Sequence, residues 1–366
     1  IALTLAATGL RGFLPDPVTT ALEHRLLDLR FELRGPRSPP DDIVLVTIDE
    51  PAIDRIGMMA PLRSALAVAV ERIAAAGPRA IALDLLLIDR TAADARLAAA
   101  LMAARPVVLA TATTGRRASA APAPRSPETT RALRRSLYGV TVDRHPAPTG
   151  EPDLLAPLPE FAPAARLGHV NVLQDRQGAA RWLPVALRLG DGAALPALPV
   201  QLAALAEGVA PARLRLHYGK AVGIGMRRVA IDARNRFALG YHGPSGSFRH
   251  VGLLALLDGA TPAGVFTERL VLVGATAGAL GDSFATPFDP KLSGIEVLAT
   301  ATANLREDTG LGRGAVAWSA TLALALAGGC LCLLAGSLRA DWLALVAGTA
   351  VWRGAAGAVQ GAFAAE

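Results

Sequence analysis

IVLVTIDE, residues 43–50, is a run of apolar and β-branched residues that ends in two acids. Such a run without polar alternation is typical of a strand that is buried on both faces of a parallel sheet. Similar runs occur at residues 79–87, 106–112 and 269–273. Helical periodicity at residues 62–76 and 94–104 separates the first three runs. This alternation of strands and helices predicts an α/β fold with a largely parallel sheet.

The pattern changes in the middle of the chain. Residues 169–173 and 180–189 flank the turn DRQG at 175–178, and a helix is predicted at 197–207. Short strands follow as far as residue 241, which indicates an antiparallel section. A Gly-rich loop after the last apolar strand then leads into a helix at 295–306.

Both ends of the chain are apolar. Residues 314–338 carry no charge, and a helix of that length rises roughly 37 Å, more than the ~30 Å of a bilayer core. We therefore predict a transmembrane helix at 314–338 and a further, truncated one at 342–365, which Arg353 interrupts. Residues 1–14 are predicted to be the end of an N-terminal transmembrane helix, because the chain opens on Ile within an apolar stretch. Residues 15–312 would then form an extracytoplasmic domain.

The positive net charge of +6 does not indicate nucleic acid binding. All but two of the 37 basic residues are arginines, and aromatic residues make up only 4% of the chain, so basic and aromatic side chains do not alternate. We expect the Arg-rich segment 115–144 to be a solvated insertion. Cys330 and Cys332 lie in the predicted span, so the soluble part has no disulfide or thiolate metal site.

Enzyme motifs are missing from the sequence. The glycines after residue 273 do not have the spacing GxGxxG, the six histidines form no HExxH pair, and no serine lies in a nucleophile elbow. We therefore expect no catalysis, no cofactor and no metal site. A divalent cation held by several carboxylates is a weaker alternative than either ligand contact or a structural role for such acids.

Acidic and hydroxyl side chains follow the predicted parallel strands. Because the carboxyl ends of parallel strands meet at one edge of the sheet, we expect these side chains to include ligand contacts. The candidates are Asp49, Glu50, Asp84, Asp282, Thr286 and Glu296. The alternative is structural, since such acids often cap helices or pair with arginines such as Arg63 and Arg181. The sharper hypothesis is that Asp49, Asp84 and Asp282 lie in one crevice.

A set of short motifs is spread over roughly residues 22–306, and its strongest part is the block LVLVGAT at 270–276 with the residues that follow it. The positions of this set are Asp28-Leu29-Arg30, Gly35-Pro36, residues 43–50, Arg63, residues 77–84, residues 168–171, Asp175, Gly178, Arg181, Pro184, Gly281-Asp282, Thr286-Pro287, residues 294–296 and Asn304-Leu305. By these positions the chain resembles the CHASE sensor domain of the second type, an extracytoplasmic module found ahead of bacterial adenylate cyclases, histidine kinases and serine/threonine kinases. One departure is Leu298, which stands where His is common in the family.

The resemblance implies a sensory input domain of a multi-pass receptor in the bacterial inner membrane. A small-molecule or envelope ligand of unknown identity would shift the helix at 17–33 relative to the helix at 295–306, and a cytoplasmic cyclase or kinase outside this chain would respond. We expect the membrane as a partner, no nucleic acid, and a homodimer. The alternative is a non-signalling membrane scaffold or envelope-binding protein.

Overall fold

A computed structural model describes residues 16–104, 106–117, 125–142, 152–189, 193–278 and 280–307. The chain divides into two compact units, one of Ile1–Gly35 with Leu311–Glu366 and one of Pro36–Gly310. The transmembrane helices predicted at 1–14, 314–338 and 342–365 lie outside the described residues. Among the residues that are described, no helix is long and apolar enough to cross a membrane.

Helix α1 (Asp16–Arg34) is the described element of the first unit. It ends where Gly35 takes a φ of 75° and donates its N–H to the Phe31 carbonyl at 3.0 Å. A positive φ is readily adopted by Gly at the end of a helix. The helix expected at residues 17–33 is therefore confirmed.

The second unit alternates strands with helices. Its described helices are α2 (Glu50–Ile56), α3 (Ala60–Ala75), α4 (Asp94–Ala103), α5 (Pro127–Ser136), α6 (Leu198–Ala206), α7 (Leu253–Leu257) and α8 (Gly294–Glu307). Its described strands are β1 (Ile43–Ile48), β2 (Ala80–Asp84), β3 (Val107–Arg117), β4 (Val140–Val142), β5 (Pro152–Leu155), β6 (Ala165–His169), β7 (Leu173–Gln174), β8 (Ala180–Pro184), β9 (Ala186–Arg188), β10 (Ala194–Pro196), β11 (Arg215–His217), β12 (Ala221–Ile224), β13 (Arg227–Ala230), β14 (Arg236–Ala238), β15 (Arg249–Gly252), β16 (Leu270–Ala275), β17 (Ser283–Phe284) and β18 (Leu292–Ser293).

A parallel sheet forms the centre of this unit. Its strand order is β15-β1-β16-β2-β3, with β6 parallel to β3 and β5 antiparallel to β3. In register, β1 pairs Ile43 with Leu270 of β16, and β16 pairs Leu270 with Ala80 of β2. The carboxyl ends of β15, β1, β16, β2, β3 and β6 therefore lie at one edge. The predicted α/β class with a largely parallel sheet is confirmed.

Both faces of the sheet are covered, which explains why its strands are apolar throughout. Every residue of β1 and β16 is buried. On one face, Val46 and Leu83 pack in a core that includes Leu66 of α3 and Leu97 of α4. On the other face, α6 approaches closely at Gly168, where an added Cβ would lie 2.6 Å from the Leu198 Cα. Full burial of each Leu or Ile contributes roughly 1.5–3 kcal/mol, so this sheet is the main stabilising element.

The antiparallel section is confirmed in part. The turn at 175–178 joins β7 to β8, with Asp175 Oδ1 accepting hydrogen bonds from the N–H groups of Gln177 at 2.8 Å and Ala179 at 2.9 Å. The strands β11 to β14 occupy the region predicted to hold short strands. The assignment of residues 169–173 to this section is wrong except for Leu173, which pairs antiparallel in β7, because residues 170–172 form no strand. His169 ends β6, which belongs to the parallel sheet because it pairs with β3, and Leu167 of β6 is buried in the core.

The Arg-rich segment is not simply a solvated insertion. It contains α5, whose N-cap Ser126 accepts the N–H of Thr129 at 3.1 Å. Ala132 and Leu133 are buried, and Ser136 Oγ accepts the N–H of Leu167 in β6 at 2.7 Å. Arg131, Arg134 and Arg135 are exposed on the outer side of this amphipathic helix, so the composition concealed a segment that packs on the sheet.

Candidate functional site

The carboxyl edge of the parallel sheet opens into a cleft of about 710 Å³. Five regions supply most of its lining: the start of α3, the loop that follows β2, the loop that follows β6, the loop that follows β16, and the start of α8. A ligand cleft at this edge is what the topology of an open parallel sheet predicts. The volume lies within the ~300–1,000 Å³ typical of small-molecule sites.

Asp84 and Asp282 both line this cleft. Asp84 is the last residue of β2 and stands beside Gly274, where an added Cβ would lie 3.2 Å from the Asp84 Cβ. Asp282 is brought back to the strand ends because its neighbour Gly281 packs against the backbone, where a Cβ would meet the Ala275 carbonyl oxygen at 2.5 Å. Two acids that are far apart in the chain therefore share one small space.

The pKa of Asp84 is raised to about 7, first by burial and second by the negative charge of Asp282. Asp84 as a whole residue is half-buried. Among the described residues, neither the Asp84 nor the Asp282 carboxylate forms an ion pair or a hydrogen bond with the protein. A carboxyl pair without a cation is unusual in a folded protein and is a feature of many functional sites.

Arg63 lines the same cleft, but its charge is already neutralised. Its Nη1 donates to Asp94 Oδ1 at 2.6 Å, and its Nη2 donates to the Asp89 carbonyl at 3.1 Å. The guanidinium carbon also lies 5.3 Å from the centre of the Phe161 ring. The structural alternative for Arg63, a pair with a buried acid, is confirmed, as it is for Arg181 with Asp175.

Asp49 and Glu50 lie at the same edge but outside the cleft lining. Asp49 Oδ1 accepts the Ala52 N–H at 3.0 Å and caps α2. Glu50 Oε1 accepts the Gly278 N–H at 2.7 Å and fastens the loop that follows β16. The shared edge of Asp49, Asp84 and Asp282 is confirmed by the parallel strands, but Asp49 does not enter the crevice that the other two line.

Thr286 and Glu296 are also held by hydrogen bonds. Thr286 Oγ1 accepts the Asp289 N–H at 3.0 Å and donates to the Asp289 carbonyl at 3.0 Å. Glu296 is 1% exposed and accepts Ser245 Oγ–H at 2.9 Å. A ligand contact stays a prediction for four of the candidates: Asp49, Glu50, Thr286 and Glu296. In the structure, each of these side chains forms the hydrogen bonds to the protein given above.

Asp49→Ala is expected to lower the free energy of unfolding by about 0.5–2 kcal/mol, since it removes the side-chain cap of α2. Urea unfolding measures this loss through the transition midpoint. Asp54→Ala is the matched control, because Asp54 is an exposed acid within the same helix. Equal losses in the two variants would contradict the capping role.

The rim of the cleft is apolar, which the sequence did not reveal as a site feature. Met58 and Met59 are 43% and 52% exposed, and Leu86 and Leu280 are 37% and 36% exposed. Met59 also has a φ of 59° and a ψ of −118°, a backbone conformation that costs free energy for a non-Gly residue. The sequence feature that could have indicated this rim is the pair Met58-Met59, directly before the start of α3. Exposed apolar side chains grouped around a cleft mark binding surfaces.

None of the histidines that the structure describes lines this cleft. His169 is 1% exposed, and burial lowers its pKa to about 3. Within the described part of the chain, no group of three or more His, Cys, Asp and Glu side chains is placed to hold a metal ion.

Comparison with known proteins gave one match. A family model described as the CHASE2 domain matches residues 2–338, which is nearly the whole chain. No curated protein and no solved structure matches the chain. The family match confirms the resemblance found in the sequence.

Proposed function

This chain belongs to the CHASE2 domain family of sensory domains in signalling proteins, and from that membership we propose that it is the extracytoplasmic input domain of a bacterial membrane receptor. The cleft at the carboxyl edge of the sheet is its ligand site. The ligand controls a cytoplasmic cyclase or kinase, to which the predicted membrane-spanning helices connect the domain.

The position of α8 is the observation that supports this proposal most directly. Gly294 and Leu298, in its first turns, line the cleft. Its last turn holds Arg306, whose Nη1 donates to Asp42 Oδ1 at 2.8 Å just before β1. A 14-residue helix is about 21 Å long. One rigid element therefore runs from the cleft to the opposite edge of the sheet, from which the chain continues towards the predicted span.

The start of α8 is also coupled to the cleft acids. The Gly294 N–H donates to the Asp282 carbonyl at 2.8 Å, so a ligand that moves Asp282 acts on the first residue of the helix. Further along, the Asn304 side chain bonds the backbone of Gly240 at 2.8 and 3.1 Å. A ligand shifts such an element only if it binds two arrangements with different affinity. In the proposed mechanism, α8 moves relative to α1 when the cleft is filled.

The location of the domain can be tested by cysteine labelling. Met226 is 95% exposed, and a Met226→Cys variant with Cys330 and Cys332 replaced by Ser carries a single thiol. An impermeant maleimide is expected to label it in intact bacterial cells whose outer membrane alone is permeabilised. The parent without Met226→Cys is the control. Labelling only after lysis of the inner membrane would place the domain in the cytoplasm and contradict the receptor proposal.

The output can be tested by reading the gene beyond the codon for Glu366. A cyclase or kinase domain in the same reading frame is the expected result. A stop codon directly after this segment would contradict the receptor and favour a scaffold or envelope-binding protein.

A further inference from the structure

We propose that the cleft at the carboxyl edge binds an organic ammonium ion that carries a short apolar chain. This inference rests on the proposed function, since it names the ligand class of the same site. It is carried by the two carboxylates inside the cleft, the position of the nearest cation, and the apolar rim.

The negative charge of the carboxylates inside the cleft favours a cationic ligand. Asp84 and Asp282 face the same space, and among the described residues no arginine or lysine forms an ion pair with either. Among the described residues, Arg63 is the one arginine in the lining, and its guanidinium is bonded to Asp94 and to the Asp89 carbonyl. Asp89 adds a further acid to the lining. An anionic ligand would meet these acids without a free positive partner, so the cleft selects against anions.

An ammonium group fits this pair better than a metal ion does. A –NH₃⁺ group offers three hydrogen-bond donors and no acceptor, so one group can satisfy both carboxylates. Calcium needs about six to eight oxygen ligands, and the described residues hold no cluster of three acids and histidines suited to a metal. The raised pKa of Asp84 is consistent with a carboxyl pair that lacks its cation.

The rim supplies the site for an apolar chain. Met58, Met59, Leu86 and Leu280 surround the opening with exposed apolar surface. Leu298 and Leu66 continue this surface into the cleft. Methionine side chains adapt to ligands of irregular shape, as in promiscuous binding surfaces. A short alkyl or aryl chain attached to the ammonium group would cover the rim while the cation meets the acids.

Isothermal titration of the purified chain in detergent tests this ligand class with matched probes. n-Hexylammonium carries the charge and the chain, whereas hexanol and hexanoate keep the chain without the positive charge. At about pH 8, where most Asp84 side chains are ionised, we expect hexylammonium to bind at least 10-fold more tightly than either. Butylammonium should bind more weakly, by about 2- to 4-fold for each methylene group removed.

Variants of the two cleft carboxylates test whether hexylammonium binds in the cleft. The double change Asp84→Asn with Asp282→Asn is expected to weaken hexylammonium binding at least 10-fold, and it leaves the fold intact because it removes charge rather than contacts. Asp54→Asn, an exposed acid on α2, is the matched control and should bind as the parent does. Equal binding by the double variant and the parent, or equal binding of hexanol and hexylammonium, would overturn the proposal. A circular-dichroism melt of each variant confirms that a loss of binding is not a loss of fold.

The result separates the ligand class from the receptor proposal. If Met226→Cys is labelled from outside while hexylammonium fails to bind, the ligand class alone is wrong. If Met226→Cys is protected until lysis, the receptor proposal is wrong whatever the cleft binds.

Discussion

Replacement of Arg63 by Met is expected to lower the free energy of unfolding of the domain by about 3–5 kcal/mol, because it leaves a buried carboxylate without its cation. Arg63 Nη1 lies 2.6 Å from Asp94 Oδ1, and the two side chains are only 9% and 8% exposed. The change also removes the bond to the Asp89 carbonyl, which fixes the loop after β2. Asp94 would keep only its bonds from Thr91. The loss is measured as the shift of the urea midpoint at an unchanged slope.

Arg96→Met is the matched control for this prediction. Arg96 lies on the same helix as Asp94, but its pair with Glu71 spans 3.9 Å, and the two side chains are 55% and 50% exposed. Such a pair contributes about 0–1 kcal/mol. The double variant Arg63→Met with Asp94→Leu should recover most of the stability, since both charges are then absent. If Arg63→Met lowers the free energy of unfolding no more than Arg96→Met does, the buried pair of Arg63 with Asp94 does not stabilise the domain.

The central sheet could be predicted because its strands are buried on both faces. Such strands can be recognised from the sequence without knowing which strands they pair with, because their apolar runs are continuous, as at residues 43–49 and 269–273. The edge strand β15 (Arg249–Gly252) was missed because two of its residues are exposed and polar. The parallel pairing of β6 was missed for a different reason. Periodicity reports which face is buried, but not which distant strand lies alongside.

The candidate site could be predicted only to the level of the sheet edge. Parallel topology alone places Asp49, Asp84 and Asp282 at one edge. Which acids are engaged depends on local contacts: Asp49 meets the N–H groups of a helix that begins directly after it, whereas Asp84 is followed by an irregular loop. A partial signal for this difference was present in Pro51, which lies in the first turn of α2 as is typical of a helix start. The position of Gly281 was a partial signal, because only a Gly permits the close turn that returns Asp282 to the strand ends.

Leu298 connects the sequence pattern to the cleft. It stands where His is common in the resembling family, and it lines the cleft from the second turn of α8. A Leu at this position extends the apolar surface formed by Met58, Met59 and Leu280. The cleft of this chain therefore combines a carboxyl pair with more apolar surface than a His would give.

Asp84→Asn is expected to stabilise the domain at about pH 8 and to remove most of a pH-dependent loss of stability seen in the parent. The folded-state pKa of Asp84 is raised from 3.8 to about 7, so the folded state binds the proton more tightly than the unfolded state. The free energy of unfolding must then fall as the pH rises from about 4 to about 7, and the full penalty is present above that window. A pKa unit corresponds to about 1.4 kcal/mol, which sets an upper limit near 4 kcal/mol. Partial solvent contact reduces the expected gain to about 2 kcal/mol.

Urea unfolding of parent and variant at a series of pH values measures this difference. Other groups titrate in the same range, including His169, whose lowered pKa destabilises the folded state in acid, but they contribute equally to both proteins and cancel in the difference. Asp282→Asn separates the two causes of the shift. It removes the neighbouring charge and leaves the burial, so the pH-dependent loss should shrink without vanishing. Parallel stability curves for the parent and Asp84→Asn between about pH 4 and 8 would contradict the prediction. Asp84 would then titrate as an ordinary carboxyl, and the cleft would hold two solvated charges with no need of a cationic ligand.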